Sequence, residues 1–174
     1  MNHYRLNNGV EIPVLGFGTW KAADGEEAYQ AVLAALKAGY RHIDTAAIYQ
    51  NEESVGRAIK DSGLKREDLF ITTKLWNTNH TYEEAQAALE VSLEKLGLDY
   101  VDLYLIHWPN PKPLRENDAW KKRNAEVWRA MEDMLAVGKV RAIGISNFLP
   151  HHLEALLETA RVIPAVNQIR LAPG

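Results

Sequence analysis

Residues 81–107 read Thr81-Tyr82-Glu83-Glu84-Ala85-Gln86-Ala87-Ala88-Leu89-Glu90-Val91-Ser92-Leu93-Glu94-Lys95-Leu96-Gly97-Leu98-Asp99-Tyr100-Val101-Asp102-Leu103-Tyr104-Leu105-Ile106-His107. The first half is a helix with its boundaries written in. Thr81 and Glu84 stand at the spacing at which a cap hydroxyl and a first-turn carboxylate satisfy each other's free amides. Ala85, Leu89, Leu93 and Leu96 fall on one face at helical period, and Gly97 stands where a left-handed terminating residue is wanted. Val101 to His107 is then a nearly unbroken apolar run. Such a run suits a strand of a parallel sheet, covered by helices on both faces. Helix, glycine, short apolar run and terminal polar residue form one unit.

The same unit recurs along the chain. Asp24 and Glu27 have capping-box spacing ahead of Ala28, Val32 and Ala35, and Gly39 precedes a strand-like Tyr40 to Thr45. A second helix runs from Glu52 through Gly56 to Ile59 and closes at Gly63, before Leu69 to Lys74. A fourth spans Ala119 to Leu135, with Gly138 and then Val140 to Ile145. A fifth, Pro150 to Thr159, precedes Ala165 to Ile169. With Val14 to Phe17 as the first strand, six strands alternate with five helices. Alternation of this kind implies parallel pairing through right-handed crossovers. Asn7-Asn8-Gly9, between Tyr4-Arg5-Leu6 and Val10-Glu11-Ile12, reads as a tight hairpin turn ahead of the first barrel strand, the hairpin forming a plug.

Units of roughly 30 residues predict an α/β fold of the parallel (β/α)8 TIM-barrel type, of which six of eight units are present. Residues 1–174 are read as a single domain, truncated after the sixth strand. The end, Ala172-Pro173-Gly174, reads as a turn with no helix after it. Six units do not close a barrel, so the expectation is a fragment of a longer sequence, the alternative being completion by another chain. The fragment's open strand edges invite self-association, whereas the full-length protein is expected to be a monomer.

Composition narrows the function classes. The chain is 47% hydrophobic and 25% charged, with a net charge of −3 spread along its length. That balance supports a buried core and offers no footprint for nucleic acid or an anionic membrane. Lys121-Lys122-Arg123 is short and reads as a solvated helix face. The absence of cysteine excludes disulfides and thiolate metal sites. No apolar run approaches the roughly 20 residues needed to span a bilayer, and residues 1–5 lack a signal-peptide core. A cytoplasmic protein is expected.

Barrel enzymes work at the carboxyl ends of their strands. The polar residues there are Asp44, Lys74, His107, Ser146-Asn147 and Asn167-Gln168, with Tyr49 on the loop just past the second strand. A tyrosine hydroxyl, with an ordinary pKa of about 10, is a poor acid at neutral pH. A nearby ammonium is expected to lower that value, and a carboxylate beside it keeps the ammonium charged and oriented. A histidine donating to a carbonyl oxygen polarises it. Asp44, Tyr49, Lys74 and His107 supply those four groups, a set suited to protonating a carbonyl as a nucleophile reaches its carbon.

Four stretches together resemble the aldo-keto reductases. Gly39-Tyr40-Arg41-His42-Ile43-Asp44-Thr45-Ala46 with Tyr49 and Asn51-Glu52 is similar to that family's first signature. Gly138-Lys139-Val140-Arg141-Ala142-Ile143-Gly144-Ile145-Ser146-Asn147-Phe148 is similar to the second. Thr73-Lys74-Leu75-Trp76 and Leu105-Ile106-His107-Trp108-Pro109 resemble its lysine and histidine strands. The resemblance covers the whole chain and is nearest to bacterial reductases of diketogluconate and small aldehydes. It implies NADPH-dependent reduction of small carbonyl compounds by hydride transfer. Tyr49 would be the general acid, Lys74 and Asp44 its tuning pair, and His107 the group orienting substrate. Thr19, Asp44, Ser146, Asn147 and Gln168 would face the cofactor, and Trp20, Trp76, His107 and Trp108 the substrate. No metal is implied. The family's later phosphate-gripping motif has no counterpart in these residues, so the chain alone is expected to hold NADPH weakly. After Asn167-Gln168-Ile169 the family usually has an acidic residue and a His-Pro pair, and this chain instead has Arg170-Leu171-Ala172-Pro173.

Other readings fare worse. Gly16-Phe17-Gly18-Thr19-Trp20 lacks the third glycine and the adjoining helix of a dinucleotide fingerprint. Ser146 does not complete the G-x-S-x-G nucleophile elbow, since Phe148 stands where the second glycine is needed. His151 and His152 are adjacent, so on a helix they diverge by about 100°, and both read as facing solvent. The alternative of another class is a cofactor-binding regulatory subunit with little turnover, which turnover of NADPH with a small aldehyde would distinguish.

Overall fold

A computed structural model describes residues 2–171. The expected turn Ala172-Pro173-Gly174 lies outside them. Two strands, β1 (His3–Arg5) and β2 (Glu11–Pro13), form an antiparallel hairpin. Six further strands complete the set: β3 (Gly16–Gly18), β4 (His42–Asp44), β5 (Phe70–Leu75), β6 (Val101–Ile106), β7 (Val140–Ser146) and β8 (Asn167–Gln168). They pair in parallel in the order β3-β4-β5-β6-β7-β8, so every neighbour in space is also the next strand in sequence. Five helices connect them: α1 (Glu26–Lys37), α2 (Glu52–Asp61), α3 (Tyr82–Leu96), α4 (Ala119–Ala136) and α5 (Pro150–Leu157). This is an incomplete (β/α)8 barrel, with β3 and β8 as its two edges.

The core has two layers separated by the sheet. Alternation along the strands sends Ile71, Leu75, Tyr104, Ile106, Ile143 and Ile145 outward against Val32, Val55, Leu89, Leu93, Trp128 and Met131 of the helices. It sends Phe70, Leu103, Leu105 and Ala142 inward, where Leu6, Val10 and Ile12 of the hairpin meet them. The hairpin is thus the plug read from Asn7-Asn8-Gly9, with Gly9 at φ 87. The amide groups of Asn7 and Asn8 tie it across the barrel floor. Asn7 Nδ2 donates to the Pro164 carbonyl at 3.2 Å and Asn8 Nδ2 to that of Arg141 at 3.0 Å. At the same end Asp102, fully buried, accepts from Arg66, Arg141 and the Ile71 amide.

Helix boundaries and faces match the sequence reading except at three places. Thr81 and Glu84 form the expected reciprocal cap of α3, and Gly97 closes it at φ 65. Asp24 does not cap α1. Gly25 holds the cap position at φ 93, while Asp24 Oδ1 accepts from Ser54 Oγ of α2 at 2.6 Å and Ser54 Oγ accepts from the Gly25 amide. A tertiary partner has displaced the local one. His152 does not face solvent. It is 6% exposed, packs edge-on against Trp120, and its Nδ1 accepts from the Leu149 amide at the start of α5. Short 3-10 turns, including Ala47–Tyr49 ahead of α2, stand where the sequence reading assigned no element.

Candidate active site

Parallel pairing in register carries the strand ends to a common rim. Asp44 ends β4, Lys74 is the penultimate residue of β5, His107 comes directly after β6, Ser146 ends β7 with Asn147 next, and Gln168 ends β8. Tyr49 closes the 3-10 turn Ala47–Tyr49 after β4, and Gln50 behind it is left-handed (φ 56). A cleft of about 1240 Å³ opens among them. Asp44, Tyr49, Trp76, His107, Trp108, Ser146, Asn147, Gln168 and Trp20 all line it, together with Gly18, Lys21 and Ile48, for which the sequence carried no signal.

Lys74 lies beneath the cleft floor, 1% exposed. Its Nζ donates to Asp44 Oδ1 at 2.5 Å and to the Thr45 carbonyl at 2.9 Å. Asp44 Oδ2 accepts from Gln168 Nε2 at 2.9 Å, so one carboxylate links strands β4, β5 and β8. Burial pulls the Lys74 ammonium below its ordinary range, and Asp44 works against that shift. The phenol of Tyr49 goes the opposite way from the sequence expectation: burial, with Asp44 adding to it, pushes it up to about 12. Lys74 does not offset this, because its charge is directed at Asp44 and Thr45. Its Nζ stands 5.1 Å from the Tyr49 ring centroid. Tyr49 is therefore a protonated phenol throughout the neutral range.

His107 meets both aromatic walls edge-on, with ring centroids 5.8 Å from Tyr49 and 5.2 Å from Trp76. Burial, reinforced by the Lys74 charge, depresses its pKa to about 4, so the ring is neutral at pH 7. Its Nδ1 is enclosed without a partner among the described residues, which leaves Nε2 as the nitrogen a ligand can meet. Trp20 and Trp108 are 61% and 48% exposed, large apolar faces at the cleft mouth. On the far wall Ser146 Oγ donates to the Gln168 carbonyl at 2.8 Å. Asn147, left-handed at φ 62, donates through Nδ2 to the His107 carbonyl at 3.0 Å and to Ser146 Oγ at 3.1 Å.

Of the expected site residues, Thr19, like the buried Lys74, does not line the cleft. It is 1% exposed, and its hydroxyl is directed at the Asp44 carbonyl and Asn51 Oδ1. Asn51 and Glu52, legible in the sequence only as part of a motif, are both buried at the start of α2. Glu52 accepts from Thr73 Oγ1 at 2.6 Å and Ser92 Oγ at 3.2 Å, behind the strand that carries Lys74. The sequence signal for both was their position shortly after Tyr49.

Known proteins share this fold. Residues 14–173 match the Aldo/keto reductase family. The chain is 53% identical over 169 residues to a glyoxal reductase of Bacillus subtilis, covering 97% of this chain and 58% of that protein. An aldo/keto reductase crystal structure from Brucella melitensis superposes with a TM-score of 0.90 at 50% identity, over 98% of this chain and 63% of that one. A Bombyx mori aldo-keto reductase in complex with NADP superposes with a TM-score of 0.87 at 42% identity, over 98% of this chain and 58% of the other. The chain thus spans somewhat more than half the length of the relatives it matches. With the family's residues matched along nearly its whole length and the family's fold around them, the chain belongs to the aldo/keto reductases.

Proposed function

We propose that the protein reduces small aldehydes or ketones to alcohols with hydride from NADPH, with Tyr49 giving the proton to the carbonyl oxygen. The observation that carries the reading is the convergence of a protonated, half-buried phenol, a neutral imidazole and a buried Lys74–Asp44 pair on one cleft. When bound, the nicotinamide supplies the hydride that adds to the carbonyl carbon. The chain's own residues do the rest. His107 Nε2 donates to the carbonyl oxygen and fixes its direction. Tyr49 transfers its proton to that oxygen as negative charge develops there, and the oxygen becomes the alcohol. Lys74, held charged by Asp44, spends two of its three N–H donors on Asp44 and the Thr45 carbonyl in the resting site, and its third can turn to the Tyr49 oxygen as that oxygen gives up its proton. Trp20, Trp76 and Trp108 supply apolar walls that fit a small carbonyl compound and keep water from it.

The residues of the far wall suit a nicotinamide. Its carboxamide presents an NH2 group, and Asn147 Oδ1 and Gln168 Oε1 are amide oxygens with no partner among the described residues, because the bonds of both side chains run through their NH2 groups. Ser146, Asn147 and Gln168 would hold the carboxamide. Gly18, with no atom within 4 Å of where a Cβ would stand, leaves the β3 side open to a flat ring. Asp44 contributes by orienting Gln168, and Thr19 by supporting the rim rather than by contact.

The relative named glyoxal reductase suggests small dialdehydes as first substrates. Purified full-length protein mixed with NADPH and glyoxal should consume the cofactor at a rate proportional to enzyme. Tight NADPH binding without consumption above background, for glyoxal and for an aromatic aldehyde, would overturn the reading.

A further inference from the structure

Asn51 stands at the N-cap of α2, where an asparagine side chain ordinarily accepts from a first-turn amide. Here it makes no such bond. The side chain, fully buried, turns back toward the site and uses both ends of its amide. Nδ2 donates to the carbonyls of Thr19 and Ala22, each at 3.0 Å, and Oδ1 accepts from Thr45 Oγ1 at 3.0 Å, with Thr19 Oγ1 nearby at 3.4 Å. An asparagine has two donors and one doubly accepting oxygen, so its capacity is filled by residues of the rim.

Those partners are the supports of the cleft. The carbonyl of Thr45 receives the Lys74 ammonium. Residues 19–22 form a turn closed by the Ala22 amide on the Thr19 carbonyl, and they carry Trp20 and the left-handed Lys21 (φ 70) into the cleft. Tyr49 lies two residues before Asn51, on a 3-10 turn whose other end is Ala46, next to Thr45. One amide group therefore ties both ends of the tyrosine's turn to the strand end that holds Lys74, and ties the Trp20 turn to both. Had the side chain only a helix to begin, it would face the α2 amides.

We propose that Asn51 is a positioning residue of this site, setting the Tyr49–Lys74 pair through Thr45 and the Trp20 wall through the 19–22 turn. The inference rests on the carbonyl-reduction reading for its kinetic consequence, though not for its structural one.

The test uses Asn51→Ala, Thr45→Val and Thr45→Ser in the full chain, with two readouts. NMR of lysine-labelled protein tracks the Lys74 ammonium through a pH titration without ligand. Turnover of NADPH with glyoxal gives kcat and KM. Thr45→Val removes the hydroxyl that Asn51 holds and keeps the side chain's shape. The loosened Thr45 carbonyl should stabilise the ammonium less, so Lys74 titrates at lower pH than in the parent. Misplacement of Lys74 and Tyr49 should lower kcat about 10-fold or more, with KM within about 2-fold. Thr45→Ser should recover most of both effects. Folded Asn51→Ala and Thr45→Val proteins whose Lys74 titration and kcat match the parent would overturn the proposal, as would a Thr45→Ser protein as impaired as Thr45→Val. If Asn51→Ala does not fold, Thr45→Val decides. If the parent itself shows no turnover, the carbonyl-reduction reading fails on its own, and the Lys74 titration still decides the role of Asn51.

Discussion

Burial keeps the His107 imidazole uncharged down to about pH 4, whereas the same ring in the unfolded chain takes a proton near 6.5. Below 6.5 the unfolded state therefore binds a proton that the folded state refuses, and stability falls as pH falls until about 4. Above 6.5 neither state is protonated and the slope vanishes. His42 and His152, also depressed by burial, act in the same direction. Urea unfolding measured between pH 7 and pH 4 should show this acid limb, and His107→Gln should flatten part of it. An unchanged slope in that variant would contradict the neutral, buried ring. Strand ends made Asp44, Lys74, His107, Ser146 and Gln168 legible as a rim, because parallel register alone brings them together. The direction of the Tyr49 shift was not legible. It depends on how deeply the phenol is buried and on which group Lys74 faces, and a sequence carries neither. Asn51 was hidden for a related reason: asparagine before a helix reads as a cap, and only the tertiary structure shows it facing the other way.

Among the elements, α2 and α3 meet more closely than their side chains alone would allow. A Cβ on Gly56 would stand 2.3 Å from the Leu96 carbonyl oxygen, at the last turn of α3. That neighbour is backbone and cannot swing aside, so Gly56→Ala must separate the two helices. Overpacking of this kind costs about 1–3 kcal/mol, and a lowered denaturation midpoint at unchanged m-value would register it. A midpoint equal to the parent's would mean the helices are not locked at this distance. The periodicity that announced both helices could not announce this contact, since Gly56 on its own reads only as a weak position within a helix. The ends show the same division. The cap of α3 was readable because Thr81 and Glu84 serve each other across three residues. That of α1 was not, because Ser54, 30 residues away from Asp24, captures its carboxylate.

At the scale of the whole molecule, strand order was the most legible feature. Repeated helix–glycine–strand units permit little besides a parallel sheet in sequence order, and the sheet is in that order. The hairpin was readable as a turn. Its attachment across the barrel floor to residues 163 and 164 was not, being a contact between opposite ends of the chain. The fold's contribution to function is to bring to one rim groups drawn from five strands, with Tyr49 held above Lys74 and beside His107. The claim that this phenol is the proton donor is tested most directly by Tyr49→Phe, which removes one hydroxyl and leaves the ring in its edge-on contacts. In the full-length protein, NADPH binding monitored by tryptophan fluorescence should be retained while kcat for glyoxal falls about 100-fold or more. A Tyr49→Phe protein that reduces glyoxal as fast as the parent would contradict the account.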